Sequence, residues 1–242
     1  MPFFPPLARA AGVLEIIDGP PVPFKEMACC MTDIARVNAL FGGRMVTMVH
    51  VKRLVAALPA DRPVIVLDVG TGAGDIPREL VRWARRQGRR IRVFALDRDA
   101  ATLQIAAGLV RDYPEISFLR GDALALPIRA EAVDLTISAM TLHHLEPEAG
   151  VRYLAEMDRV ARVGFVVNDL VRSRVAHWVV WLITRFITRS AISRHDGPLS
   201  VMRSYTPREV SGLCAQAGLE GVSVVHHWPY LRFCAVRAKA GA

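Results

Sequence analysis

Cysteine and lysine are both scarce in this 242-residue chain. It has four cysteines, of which Cys29 and Cys30 are adjacent, and none has the C-x-x-C or Cys/His spacing of a metal site. This pattern predicts free thiols in a reducing cytoplasm and no disulfide framework. Lysine occurs only at Lys25, Lys52 and Lys239, so arginine supplies nearly all of the 31 basic side chains.

Long apolar runs are also missing. The longest stretch, residues 175–184, lies between Arg174 and Arg185 and contains His177. It is far shorter than the roughly 18 residues that cross a membrane. The first ten residues carry no basic region ahead of a long apolar run, so no signal peptide is expected. We therefore expect a cytoplasmic protein without a membrane span.

The remaining composition is that of a globular protein, with 52% hydrophobic and 22% charged residues. The formal charge of +8 suits a nucleic acid, an anionic substrate or a membrane surface, and selects none of them. Much of the surplus falls in residues 78–90 and 172–203, not in a separate basic module. We interpret it as surface charge with one or two arginines facing substrate. A monomer or homodimer without a nucleic-acid partner is expected.

Strand and helix patterns alternate from residue 64 onward. Short β-branched runs predict strands, and the amphipathic runs between them predict helices. This rhythm indicates parallel strands with right-handed crossovers and helices on both faces. The predicted strands are 64–69, 91–96, 116–119, 133–138, 164–167, 221–226 and 231–236, the last two forming an antiparallel pair, and the predicted helices are 76–87, 100–111, 147–159 and 207–217.

The predicted fold is therefore an α/β, doubly wound, Rossmann-like and mostly parallel seven-stranded sheet whose last strand is antiparallel. Residues 1–63 form a proline-rich arm and two helices that break at Gly42-Gly43. Residues 64–242 form the core. A helical lid insertion at about 171–200 is expected, as one helix to residue 194 and then a loop at 195–199.

A glycine-rich loop, Asp68-Val-Gly-Thr-Gly-Ala-Gly-Asp75, follows the first predicted strand. Glycines let the backbone approach a ligand, and the next helix offers free N–H groups, so this strand end suits a cofactor. The dinucleotide fingerprint G-x-G-x-x-G fits poorly. Counted from Gly70, its third glycine position is Asp75, whose carboxylate would repel a pyrophosphate. A turn that binds no ligand is the other alternative.

The pattern D-x-G-x-G-x-G resembles motif I of the class I S-adenosylmethionine-dependent methyltransferases. The resemblance spans roughly residues 64–167 and the closing hairpin, and the stretch Asp122-Ala-Leu-Ala-Leu-Pro127 is similar to their quinone-biosynthesis-like branch. It implies that Asp97 holds the ribose hydroxyls and that Asp122 accepts from the adenine amine. The cofactor residues it implies are Asp68, Gly70, Thr71, Gly72, Gly74, Asp97, Arg98, Asp122, Ala123 and Ala139. For Asp97 and Asp122, capping of a helix or turn is the alternative.

Two adjacent histidines, His143 and His144, follow the fourth predicted strand, which faces the transferred methyl group in this family. An imidazole can take a proton from a phenol or enol, so we expect at least one to act as a general base. Helix capping or packing in the cavity wall is the alternative. Quinone-type C-methyltransferases usually carry Arg-Asn here, so the pair favours methylation at oxygen. The chemistry requires no metal, and none is expected.

Four further residues are candidates for binding the acceptor. Asn168 ends the fifth predicted strand, and this position is as compatible with capping of the next helix as with binding the acceptor. Trp178 lies in the aromatic-rich insertion, which is expected to cover an apolar substrate, with packing on the sheet or a dimer contact as the alternative. Arg194 and His195 lie later in the insertion. They are expected to bind an acidic or phenolic group, with a solvated turn as the alternative.

The leading hypothesis is a methyltransferase that acts on a small aromatic, phenolic or polyketide-like acceptor, at oxygen rather than carbon. An RNA or protein methyltransferase is a rival, although no basic RNA-binding module and no Asn-Pro-Pro-Tyr-type segment is present. A non-catalytic binding protein with this fold is the second rival. An NAD-dependent oxidoreductase is the third.

Overall fold

The computed structural model describes residues 7–239, so the first six residues of the predicted arm and the last three of the predicted core lie outside it. Within this range seven strands form one sheet in the order β3-β2-β1-β4-β5-β7-β6. The strands are β1 Val64–Val69, β2 Ile91–Asp97, β3 Ile116–Arg120, β4 Val133–Ala139, β5 Ala161–Leu170, β6 Ser223–His227 and β7 Arg232–Ala238.

Strand directions confirm the predicted fold class. From β3 to β5 all neighbouring strands are parallel, whereas β7 runs antiparallel to both β5 and β6. The helices are α1 Phe24–Leu40, α2 Gly43–Ala56, α3 Asp75–Arg86, α4 Ala100–Leu109, α5 Pro147–Val160, α6 Arg174–Ile187, α7 Ala191–Arg203 and α8 Pro207–Gln216.

The sheet is buried on both faces, as its uninterrupted apolar strands require. On one face Val51 of α2 and Leu80 of α3 pack against Ile137 of β4. On the other face Leu154 of α5 packs with Phe165 of β5 and with α8. Alternating side chains of the central strands therefore supply two apolar cores, and the carboxyl ends of the strands are left for function.

β5 is longer than predicted, beginning at Ala161 and continuing to Leu170. Asn168 and Asp169 interrupt its apolar pattern, yet both are buried. The amide nitrogen of Asn168 donates to the Gly43 carbonyl at 2.9 Å and to the Thr47 hydroxyl at 2.8 Å. These bonds tie β5 to α2 and satisfy the amide nitrogen of this buried side chain.

The insertion differs from its prediction in two ways. The expected single helix breaks between α6 and α7, where the carboxylate of Asp33 accepts from the backbone N–H groups of Arg189 and Ser190, both at 2.8 Å. The loop expected at 195–199 is wrong, because α7 continues through Gly197 and Pro198. A Cβ on Gly197 would lie 2.5 Å from Cγ2 of Thr184. This glycine therefore permits close packing of α7 on α6 instead of forming a turn.

Gly164 supplies a test of the β5–β7 pairing. It adopts φ +151°, and a Cβ there would lie 1.9 Å from the Arg237 carbonyl oxygen. Gly164→Ala should lower the free energy of unfolding by about 3 kcal/mol, because the backbone at residue 164 and the facing strand β7 must both shift to admit the Cβ. Gly108→Ala is the control, because its Cβ meets nothing and an exposed helix position gains about 0.5–1 kcal/mol. Urea unfolding measures both, and equal effects would contradict the account.

Candidate functional site

A cavity of about 320 Å³ lies at the carboxyl ends of β1, β2 and β4. Its floor is the glycine loop together with the segments that follow β2, β3 and β4. Residues 15–18 of the arm, α1, α6 and α7 cover it. This is the edge where ligands bind in open α/β sheets.

Nine of the ten predicted cofactor residues line this cavity, namely Asp68, Gly70, Thr71, Gly72, Asp97, Arg98, Asp122, Ala123 and Ala139. Gly74 is outside the lining and precedes α3 in a left-handed conformation. Asp97 accepts from the backbone N–H of Gly72 at 3.2 Å and of Asp99 at 3.1 Å. Asp122 accepts from the N–H of Leu124 at 2.8 Å. Asp97 and Asp122 thus both accept hydrogen bonds within local turns, which was the alternative role considered for them. Both also line the cavity.

Asp68 is the most unusual group on the cofactor side. Burial, together with the neighbouring Asp75 and Asp97, raises the pKa of its carboxyl to about 7, against the opposing effect of the Thr71 side chain. Among residues 7–239, no group donates a hydrogen bond to its Oδ2. A buried acceptor of this kind costs stability unless a donor meets it. The cavity is therefore prepared for a ligand that carries a cationic or N–H donor group.

His143 is held firmly in the 3₁₀ turn Leu142–His144, after β4. Its backbone N–H donates to Asp169 Oδ2 at 3.0 Å, and its Nδ1 lies 2.8 Å from Asp169 Oδ1. Burial would raise the pKa of Asp169, but the charge and hydrogen bonds of His143 outweigh it and hold that pKa below the usual range. This carboxylate therefore fixes the position of the whole turn.

His144 is held differently, by the arm. Its Nδ1 lies 2.6 Å from Oδ2 of Asp18, whose other oxygen accepts from Arg98 at 2.8 Å. The two imidazole rings are adjacent, with centroids 4.1 Å apart. The side chain of His144 is 23% exposed, compared with 2% for His143. Both histidines line the cavity, and His144 is the more exposed of the pair.

Glu15 completes the cluster from the arm. Its Oε1 lies 3.6 Å from His143 Nε2 and 3.8 Å from Arg203 Nε. Burial raises the pKa of Glu15 to about 7, although His144 opposes the shift. Arg203 in turn donates to the carbonyl oxygens of His143 at 3.2 Å and His144 at 2.7 Å. The arm is therefore an integral part of this site.

Two groups of side chains in the described part of the chain have the spacing of metal ligands, namely Glu15, His143 and His144, and His50, His227 and Cys234. In the first group the Arg203 guanidinium lies close to the Glu15 carboxylate, which opposes a cation. In the second, a 2.8 Å contact between Nε2 atoms pairs the two imidazoles. Within the described residues the buried Oε1 of Glu15 accepts no hydrogen bond, and the guanidinium of Arg203 is the cation that lies beside it.

Comparison with known proteins identifies the family. The methyltransferase-domain family matches residues 66–164. A 2-phytyl-1,4-naphtoquinone methyltransferase of Thermosynechococcus vestitus is 30% identical over 185 residues, which cover 68% of this chain and 75% of that protein. A demethylmenaquinone methyltransferase of Roseiflexus castenholzii is 37% identical over 174 residues, 65% of this chain and 68% of that protein. The chain belongs to the class I S-adenosylmethionine-dependent methyltransferases.

Both relatives place this methyltransferase in the quinone-biosynthesis-like branch, as the motifs predicted. A solved S-adenosylmethionine-dependent methyltransferase of Aquifex aeolicus has the same fold, with a TM-score of 0.53 and 20% identity over 76% of this chain and 87% of that one. S-adenosylmethionine is thus the cofactor. The NAD-dependent alternative is set aside, and so is a non-catalytic binding protein.

The four predicted acceptor residues of the methyltransferase are not among those lining the cavity. Asn168 points to α2, as described above. Trp178 lies on the outer face of α6, where it is exposed. Arg194 donates to the Thr188 carbonyl at 3.1 Å, and His195 contacts its neighbour Asp196 at 2.7 Å. The cause is the continuous α7, which directs both of these side chains away from the cavity.

Sequence reasoning missed Glu15, Asp18, Asp169 and Arg203 as site residues. The arm looked irregular, and nothing in its sequence marks two acids that contact histidines more than a hundred residues away. Asp169 was the one with a usable signal, since it stands at a strand end in the same way as Asp97. A carboxylate at that edge of the sheet is in reach of groups after β4.

Glu15 generates a pH-dependent prediction. Its pKa in the folded state, about 7, is above the ordinary 4.5, so its contribution to stability is present at low pH and is lost as pH rises through this window. Glu15→Gln removes the titration. Between pH 4.5 and 7 the free energy of unfolding of the wild type should therefore fall relative to the variant by about 3 kcal/mol.

Denaturant unfolding at a series of pH values measures this difference. Glu148→Gln is the control, because Glu148 is exposed on α5. Its stability curve should run parallel to that of the wild type. A parallel curve for Glu15→Gln would contradict the buried, proton-binding role of Glu15.

Proposed function

We propose that this methyltransferase transfers a methyl group from S-adenosylmethionine to a hydroxyl oxygen of a small, lipophilic phenol or hydroquinone, with His144 as the general base. The observation that carries the proposal is the His144–Asp18 contact of 2.6 Å at the cavity surface. This contact pairs a candidate base with a carboxylate that orients it. Both side chains line the same cavity as the glycine loop.

The cofactor side is assigned to the acidic groups around the glycine loop. When bound, S-adenosylmethionine supplies an electrophilic methyl group on a sulfonium centre. Asp97 is assigned to the ribose hydroxyls and Asp122 to the adenine amine, since carboxylates accept from both kinds of donor. The orphaned Oδ2 of Asp68 suits the ammonium of the amino acid portion.

His144 is preferred to His143 as the base because a base must touch the proton it removes. Both ring nitrogens of His143 face carboxylates, Asp169 at 2.8 Å and Glu15 at 3.6 Å, and the ring is buried. His144 engages Asp18 through Nδ1, which leaves the Nε2 side of its more exposed ring for an acceptor hydroxyl. The ionised Asp18 then stabilises the imidazolium that forms.

The rest of the cavity lining supports an apolar acceptor. Met27, Met31 and Ile34 of α1 face Val180 of α6 across the cavity, and methionine adapts to flat, apolar ligands. With the arm in place these helices exclude water, so that the acceptor oxygen is desolvated as its proton leaves. Nine carboxylates also line the cavity, against two arginines. A polyanion such as RNA would be repelled, which favours a small acceptor.

The two named relatives act on naphthoquinone compounds, which supports a hydroquinone as the acceptor class. Methylation at a ring carbon is the second candidate, because deprotonating a hydroquinone also places negative charge on ring carbons. The same base would serve both reactions. Methylation at oxygen is preferred because His143-His144 replaces the Arg-Asn pair that is usual in C-methylating quinone enzymes.

The direct experiment is an acceptor screen. The protein is incubated with isotopically labelled S-adenosylmethionine and a panel of catechols, resorcinols and reduced naphthoquinones, and products are analysed by mass spectrometry and NMR. A methoxy product supports the proposal. A ring-methyl product would select the second candidate, and transfer to RNA or protein alone would overturn both.

His144→Gln should lower kcat about 10²–10⁴-fold on the acceptor found in that screen, the usual contribution of a general base. The affinity for S-adenosylmethionine should stay at the wild-type value, because the loss is in proton transfer. His226→Gln is the matched control, as His226 is exposed on β6 far from the cavity lining. Wild-type kcat in His144→Gln would overturn the assignment of the base.

A further inference from the structure

The outer face of α6 exposes large apolar side chains. Phe186 is 78% exposed and Trp178 is 63% exposed, and Val175, Trp181 and Leu182 are exposed as well. These positions recur at helical spacing, so the five side chains share one side of the helix. We call this set the α6 outer face. Trp178 and Trp181 contact each other edge-to-face, with ring centroids 5.9 Å apart.

The inner side of α6 carries smaller side chains. Its buried residues are Ala176 and Thr184, and Val179 and Val180 pack partly buried against the core. A helix that served only to pack on the core would turn its tryptophans and phenylalanine inward, because each buries a large apolar area. The largest apolar side chains of α6 lie instead on its solvent side, and a contiguous exposed apolar patch of this kind marks an interaction surface.

Charge on and beside the same helix indicates what the surface binds. Arg185 on α6 and Arg189, two residues beyond its end, are exposed, and Arg174 begins the helix. No aspartate or glutamate occurs from residue 174 to residue 189. Tryptophan and phenylalanine with arginine, on a helix too short to span a bilayer, are the features of helices that lie in the membrane interface. Residues 7–239 contain no helix that is long and apolar enough to cross a membrane.

We propose that the α6 outer face docks this protein on the surface of an anionic lipid bilayer. The tryptophans and Phe186 would enter the boundary between headgroups and acyl chains, and the arginines would pair with lipid phosphates. A second copy of the chain is a poorer occupant. A two-fold interface would set the same arginines against each other without an acidic residue to pair with them.

Docking there has a consequence for the cavity. Val180 and Thr184, on the inner side of α6, line the cavity whose outer cover this helix forms. A bilayer-bound α6 would thus place the cavity beside the membrane, where a lipophilic acceptor is dissolved. That consequence depends on the proposed function, whereas lipid binding itself does not.

The test is flotation of the full chain with vesicles of phosphatidylcholine, with and without phosphatidylglycerol. The wild type should float with the anionic vesicles, and less so at high salt because the arginine contribution is screened. Arg185→Gln with Arg189→Gln should lower the partition coefficient about thirtyfold, at about fivefold per arginine. The control, Arg86→Gln with Arg111→Gln, removes two exposed arginines elsewhere and should lower it little.

The apolar part is tested with Trp178→Ser plus Phe186→Ser, which should lower binding tenfold or more. Trp228→Ser is the matched control, since Trp228 is 68% exposed at the β6–β7 turn. Brominated lipids should quench the wild-type fluorescence but not that of Trp178→Phe with Trp181→Phe. Failure to float, equal losses in the controls, or a dimer that Trp178→Ser dissociates would overturn the proposal. Each of these readouts is independent of methyl transfer.

Discussion

The burial of carboxylates around one cavity is the constraint on which the rest of this structure depends. Burial raises the pKa of Asp68, Asp75 and Asp97, and these three share the space beside the glycine loop. Removing like charges from water is costly unless cations or donors meet them. Under the proposed assignment, the sulfonium and ammonium groups of the cofactor supply the cations on this side, so that the fold and the cofactor are electrostatically complementary.

On the histidine side the chain pairs Asp169 and Asp18 with its own groups, whereas burial raises the pKa of Glu15. Asp169 meets His143, Asp18 meets His144 and Arg98, and Glu15 lies between the imidazoles and Arg203. Because Glu15 and Asp18 belong to the arm, the arm both contacts the two imidazoles and covers the cavity. Under the proposed function, orientation of the base and exclusion of water therefore depend on the same contacts.

Local sequence patterns predicted the fold and the cofactor side of the cavity. The glycine loop and Asp97 follow strands whose apolar runs are plain in the sequence, so their meeting at one sheet edge follows from the topology. The contacts of Asp18 with His144 and of Glu15 with His143 join distant segments that share no local pattern, and no periodicity could pair them. The loop predicted at Gly197-Pro198 was wrong for a related reason. Close packing of Gly197 against Thr184, a tertiary contact, stabilises a helix where the local sequence favours a turn. Arg194 and His195 belong to the same continuous helix and for that reason lie outside the cavity lining.

The central claim is that the cavity is acidic because its ligand is cationic. Calorimetric titration with S-adenosylmethionine near pH 6, in buffers of different ionisation enthalpy, counts the protons that leave on binding. Asp68 has a pKa of about 7 without ligand, and a bound cation favours its ionised form, so approaching one proton should be released. Asp68→Asn should bind with a correspondingly smaller release. Equal proton release in both proteins, or none in the wild type, would contradict the account.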